Sequence, residues 1–235
     1  VLDKPAGLTV HPGAGRPSGT LVHRLLARYP ELAGVGGPGR PGIVHRLDRG
    51  TSGVLVVARN PRAYAALSGA FAARTIGKRY LAVVYGAPRP AAGEIRAPIG
   101  RHRERRKEMT VRPDGRPAWT GYRTLAAPAA SGLALVELDL GTGRTHQIRV
   151  HLKSIGHPLV GDPVYGEARW RGLPRPSQAA LASFPRPALH AWRIALPGPG
   201  PSRRVFEAPV PADLRRLWEQ AAGAPFPALP PIADG

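Results

Sequence analysis

With 235 residues, 43% of them hydrophobic, the chain can bury a core as one globular unit or two closely joined lobes, which argues against global disorder. Its 34 Lys plus Arg against 15 Asp plus Glu give a net charge of +19, which calls for a polyanionic partner and puts nucleic acid first. The absence of cysteine excludes disulfides, thiol nucleophiles and Cys-ligated zinc and is compatible with the cytoplasm, no apolar run approaches the ~20 residues of a membrane span, and the histidines show no metal-ligand spacing.

Val1 to Lys4 reads as a strand entered midway, with neither an initiator Met nor a leader, so further chain upstream is expected. Pro5-Ala6-Gly7 is a turn, and His11 to Ser18 a Gly- and Pro-rich loop. Leu21, Leu25 and Leu26 mark one face of a short helix ending before Pro30, and Gly34 to Gly42 is a flexible connection. Ile43-Val44 leads into His45-Arg46-Leu47-Asp48. After a turn at Gly50 to Gly53, Val54-Leu55-Val56-Val57 is apolar on both faces, as in a buried central strand. Asn60-Pro61 caps a helix carrying Tyr64, Leu67 and Phe71 on one side and reaching about Arg74. Lys78 to Tyr85 alternates as a strand and Gly86 closes it. Ala118 to Leu125 and Leu133 to Leu140 form an antiparallel hairpin. From Thr145, a candidate cap, Ile148, Leu152 and Ile155 recur with helical period as far as Gly156 and Pro158, giving a helix over 145–155. Gly166 to Pro187 reads mostly as loop, His190 to Leu196 as a last strand and Pro211 to Ala221 as a last helix. The reading is α+β, with a mixed, mostly antiparallel sheet, in one domain over 1–221 followed by a Pro-rich, disordered tail over 222–235. No phosphate-binding Gly fingerprint follows a strand into a helix.

Four constellations carry chemistry. In His45 to Gly53, Asp48 between Arg46 and Arg49 is placed to stay ionised and act as nucleophile or base, although an isolated motif of this kind more often marks a salt-bridged surface turn. In Gly141 to His151, His146, Arg149 and Lys153 share a helix face. That face either offers Arg149 to a phosphate or buried carboxylate or is simply solvated. In Lys78-Arg79-Tyr80, Tyr80 can stack on an unpaired base or serve as a core tyrosine. The run Arg101 to Lys107, between strands, suits phosphate contact or is a solvated basic loop.

These segments together resemble the RluA/RluD-type pseudouridine synthases, in order and over nearly the whole chain. The carrying motifs are Asp3-Lys4-Pro5-Ala6-Gly7 with His11-Pro12-Gly13, His45 to Gly53, Lys78-x-Tyr80-x-Ala82 ending at Gly86, Gly143 to His151, and Gly156 to Gly166. The resemblance implies the bent sheet of that fold, flanked by helices, and an RNA isomerase that needs no metal or other cofactor. It implies that Asp48 is the essential carboxylate, Tyr80 the base-stacking tyrosine and Arg149 the arginine that pairs with that carboxylate. Arg46 would fill the space left by a flipped nucleotide, and His45, Arg144 and Lys78 complete the expected substrate-binding set. His11-Pro12-Gly13-Ala14-Gly15 and Leu21 to Leu26 look closest to the branch acting on large-subunit ribosomal RNA, whose members usually carry an N-terminal S4 domain. A cytoplasmic monomer is expected. The rivals are a transfer RNA synthase, an RNA-binding assembly factor without catalysis, and an RNA glycosidase that would want a second carboxylate. Asp162, the candidate for that carboxylate, looks structural by its motif.

Overall fold

A computed structural model describes residues 1–13, 17–198, 200 and 202–231. Its elements in chain order begin with β1 (Leu2–Lys4), α1 (Leu21–Arg28), β2 (Ser52–Leu55) and α2 (Pro61–Ala72). There follow β3 (Gly77–Tyr85), β4 (Ala92–Arg96), β5 (Ile99–Arg101), β6 (Met109–Val111), β7 (Trp119–Ala126) and β8 (Leu133–Leu140). The chain ends with α3 (Gln147–Ser154), α4 (Arg175–Ser183), β9 (Leu189–Pro197), β10 (Arg203–Glu207) and α5 (Ala212–Ala222). Two compact units result, Val1–Gly77 with Ala191–Pro209, and Lys78–His190 with Val210–Asp234.

In the first unit β1 runs antiparallel to β2, with Asp3 opposite Val54, and β10 runs antiparallel to β9. Asn60 caps α2 as its sequence signal requires: the side chain accepts the Ala63 N–H at 2.8 Å, and Pro61 opens the helix where its missing N–H costs nothing. Leu67, Ala70 and Phe71 of α2 pack on a core of Val54, Val56, Ile76, Ile194 and Ala208. The apolar run expected as a strand at 54–57 is displaced, since regular pairing covers Ser52–Leu55 and only an isolated bridge joins Ile43 to Val57. Of the expected loop His11 to Ser18, residues 14–16 lie outside the described residues.

The second unit is built on antiparallel strands in the order β3-β8-β7-β4. Tyr80 to Tyr85 are all buried, so both faces of β3 are covered and the alternation read in its sequence does not separate an inside from an outside. The hairpin of β7 and β8 is as expected. Three features correct the sequence reading. The stretch 166–187 is not mostly loop, because α4 occupies Arg175–Ser183, with proline in its first turn and the Ala-rich segment after it favouring helix. His190 to Leu196 is not the last strand, since β10 adds to β9. The third helix starts at Gln147, capped by His146 in the left-handed region (φ 56) rather than by Thr145. In the tail, Trp218 Nε1 donates to the Pro225 carbonyl at 3.2 Å and Arg215 lies over the Phe226 ring; residues 232–235 are outside the described ones. The α+β class with a mostly antiparallel sheet is the observed fold. No helix among the described residues is long and apolar enough to cross a membrane.

Candidate active site

The Asp48 loop lies in the first unit and is pinned by backbone contacts. Gly7 N–H donates to the Arg49 carbonyl at 2.8 Å, and Arg49 Nε returns to the Gly7 carbonyl at 3.1 Å. The Asp48 carbonyl accepts the Thr51 N–H at 3.1 Å, closing the turn, while Leu47 is buried beneath it. Lys4 is 1% exposed, yet its ammonium is satisfied: Nζ donates to the carbonyls of Pro5 at 2.8 Å and Leu8 at 3.0 Å and lies 3.4 Å from that of Arg49. A buried ammonium is tolerated only when so hydrogen-bonded, and here it ties the turn after β1 to the loop that carries Asp48. At Gly53 (φ 115) a Cβ would stand 2.1 Å from the Ala191 carbonyl oxygen, so only glycine lets β2 approach that backbone.

His45 Nε2 accepts the Val56 N–H at 2.9 Å and therefore carries no proton; the ring stacks on Phe71 with centroids 4.6 Å apart. One nitrogen and one face of a residue expected to bind substrate thus hold the loop to its scaffold. Arg46 is exposed, with Nη1 3.0 Å from His11 Nε2, and His11 Nδ1 donates to the Pro12 carbonyl at 2.9 Å. That tautomer leaves His11 Nε2 to accept from Arg46. Neither the Lys4 clamp nor the His11 contact was singled out from sequence. A buried lysine runs against its usual exposure, and the His11 pairing spans 35 positions.

Lys78, Tyr80, Arg144 and Arg149 lie in the second unit. Tyr80 is buried on β3 opposite Leu138, and Lys78 is half-buried at the strand's start. Arg149, two residues into α3, is 5% exposed and meets a buried carboxylate: Nε and Nη2 donate to the two oxygens of Asp162 at 2.6 and 2.8 Å. The polar face of α3 is therefore interior at this position rather than solvated. Burial alone would raise the pKa of Asp162. The Arg149 hydrogen bonds and charge, with the N–H groups of Val164 and Tyr165, outweigh it and hold the carboxyl below its usual range.

Arg144 donates through Nε to the Pro117 carbonyl at 3.2 Å and through its backbone N–H to Gln147 Oε1 at 3.0 Å. Gln147 is buried and uses its whole amide: Oε1 also accepts from the Thr142 hydroxyl, while Nε2 donates to the Trp119 carbonyl and to Thr120 Oγ1. His151, fully buried, donates from Nε2 to the Ala97 carbonyl and accepts the Thr120 hydroxyl at Nδ1, both at 2.9 Å. Burial lowers its pKa, with the Ala97 contact opposing, so the ring is neutral and the network fixes the start of α3 to β7. Among the described residues no group of three or more His, Cys, Asp or Glu could hold a metal ion.

Residues 1–154 match the family model described as RNA pseudouridylate synthase. The chain belongs to that family. Within the synthase family, a protein of Chloroflexus aurantiacus named as an uncharacterized RNA pseudouridine synthase is 52% identical over 219 residues, 93% of this chain and 65% of its own length. The ribosomal large subunit pseudouridine synthase D of Nitrosomonas europaea is 47% identical over 227 residues, 96% of this chain and 63% of its own. The chain thus spans just under two thirds of the length of these relatives. The structure of human RNA pseudouridylate synthase domain containing 1 superposes with a TM-score of 0.71 at 28% identity, covering 98% of this chain and 86% of that one.

Proposed function

We propose that the protein is an RNA pseudouridine synthase acting on large-subunit ribosomal RNA in the cytoplasm, as a monomer and without a cofactor, with Asp48 as its catalytic carboxylate. The observation that carries this reading is the set Asp48, Tyr80 and Arg149, intact in a chain 47% identical to a ribosomal large subunit pseudouridine synthase D. The target uridine leaves its stack at a cost of a few kcal/mol, which phosphate contacts and stacking offset. Arg46, exposed beside the Asp48 loop, takes the vacated space, and the Tyr80 ring packs on the extruded base. Cleaving N1–C1′ builds positive charge on the ribose, which Asp48 stabilises by ion pairing or covalent capture. Arg149, oriented by Asp162, serves as the arginine partner of the Asp48 carboxylate; the detached uracil turns, bonds to C1′ through C5, gives up its C5 proton and takes a proton at N1. His45, Arg144 and Lys78 line the path of the RNA.

The glycosidase alternative asks for a second carboxylate able to carry a proton. Asp162 is poorly suited, being ion-paired with Arg149 and held below the ordinary carboxylate range. The test is tritium release from 5-³H-uridine in ribosomal RNA lacking the modification, with Asp48→Asn alongside. Release by the parent and at least ~10³-fold less by the variant, with RNA affinity kept, is the expected result. Turnover by the Asn variant overturns the role of Asp48, and tight RNA binding without release by the parent favours a binding factor.

A further inference from the structure

Tyr165 stands where three parts of the second unit meet. Its ring is 2% exposed and packs with Ile99, Ala118 and Val150, a cluster that Met109 and Val111 of the β5–β6 hairpin also cover. Its hydroxyl accepts the Met109 N–H at 2.8 Å and lies 2.9 Å from His146 Nδ1. Its backbone N–H donates to Asp162 at 3.1 Å, and the Arg149 guanidinium carbon sits 4.8 Å from its ring centroid. Beyond Met109, the hairpin carries exposed Arg103, Arg105, Arg106 and Lys107 at its tip, with Arg105 paired to Glu108 at 3.3 Å.

Packing alone would be served as well by phenylalanine. The hydroxyl adds a bond on each side, accepting the N–H of a hairpin strand and sharing a hydrogen bond with Nδ1 of the residue that caps α3. Burial raises the pKa of this phenol, so the hydroxyl keeps its proton. His146 holds a left-handed backbone that a non-glycine residue adopts only under constraint, and its ring meets Tyr165 edge to face. A bonded path therefore runs from the hairpin strand to the cap of α3, and the same ring underlies Arg149 two residues into the helix.

We propose that Tyr165 is a positioning residue, linking RNA contact at the basic hairpin to the setting of Arg149. The activity arm of its test rests on the synthase reading; the exchange arm does not. Four proteins are compared in the full chain: the parent, Tyr165→Phe, a neutralised hairpin (Arg103→Ser, Arg105→Ser, Arg106→Ser), and the combination. The probe is an unmodified large-subunit ribosomal RNA transcript. Saturating RNA slows amide hydrogen exchange across α3 several-fold in the parent, and Tyr165→Phe loses that slowing while still binding RNA. In tritium release, Tyr165→Phe lowers kcat about tenfold with KM within about twofold, but costs less than about twofold once the hairpin is neutralised. Equal fold losses in the two hairpin backgrounds, or RNA-dependent slowing in α3 that survives in Tyr165→Phe or is absent from the parent, overturn the linkage. A parent that releases no tritium refutes the synthase reading, and the exchange result then decides the linkage alone.

Discussion

Asp162 shows at the residue scale how a carboxylate becomes structural. It sits in the interior with both oxygens on Arg149, and one of them also accepts the Val164 and Tyr165 N–H groups. Removing its charge takes one carboxylate partner from the buried guanidinium, an effect of about 3–5 kcal/mol at neutral pH. Because its folded pKa lies below the ordinary 3.8, the unfolded chain takes the proton first as pH falls. The stabilisation is therefore complete above about pH 4 and disappears as pH drops through the folded value. Urea titrations of the parent and Asp162→Asn should differ widely at pH 7, and the gap should narrow steadily once the pH falls below about 4. A gap that stays constant below about pH 4 would mean that shape, not charge, holds the site.

Among elements, β2 has the tightest local requirement. Gly53 combines a φ of 115° with a backbone approach that leaves no room for a methyl group, so Gly53→Ala should cost roughly 2–5 kcal/mol in urea unfolding. The loop that carries Asp48 enters this strand, so activity should fall with stability. Elements with strong local signals were legible: α2 through Asn60-Pro61, α1 through its leucines, β7 and β8 through length and apolar content. β4 was not, having Ile95 as its one buried residue, nor was β10, which has none; their pairing with β7 and β9 makes them strands. α4 was hidden by the prolines and arginines around it. At the candidate site, the motifs named the residues but not their supports. Nothing local tells that Lys4 is buried, that Gln147 spends every amide hydrogen bond, or that Asp162 is a partner of Arg149.

For the whole molecule the dominant quantity is charge. An excess of 19 positive charges in 235 residues makes binding to a polyanion steeply salt-dependent. If the hairpin tip contacts phosphates, each arginine removed there lowers the slope of log affinity against log salt by about 0.7 for single-stranded RNA. Neutralising Arg103, Arg105 and Arg106 together should then flatten the slope by about 2, measured by RNA titration over a salt series. An unchanged slope would assign the hairpin charges to solvent. Composition points at once to a polyanionic partner, whereas the division into two compact units, with boundaries inside β3 and β9, had no mark in the sequence.

The burial of Lys4 has a practical consequence. The chain has only four lysines, Lys4, Lys78, Lys107 and Lys153, and an amine must be deprotonated and reachable to be acylated. Lys107 on the hairpin is exposed, whereas Lys4 is sealed beneath the carbonyls it holds. Brief treatment with an amine-reactive ester, read by mass spectrometry, should label Lys107 readily and leave Lys4 unmodified until the first unit opens. One native side chain thereby becomes a reporter of the integrity of the loop that presents Asp48, without any added probe.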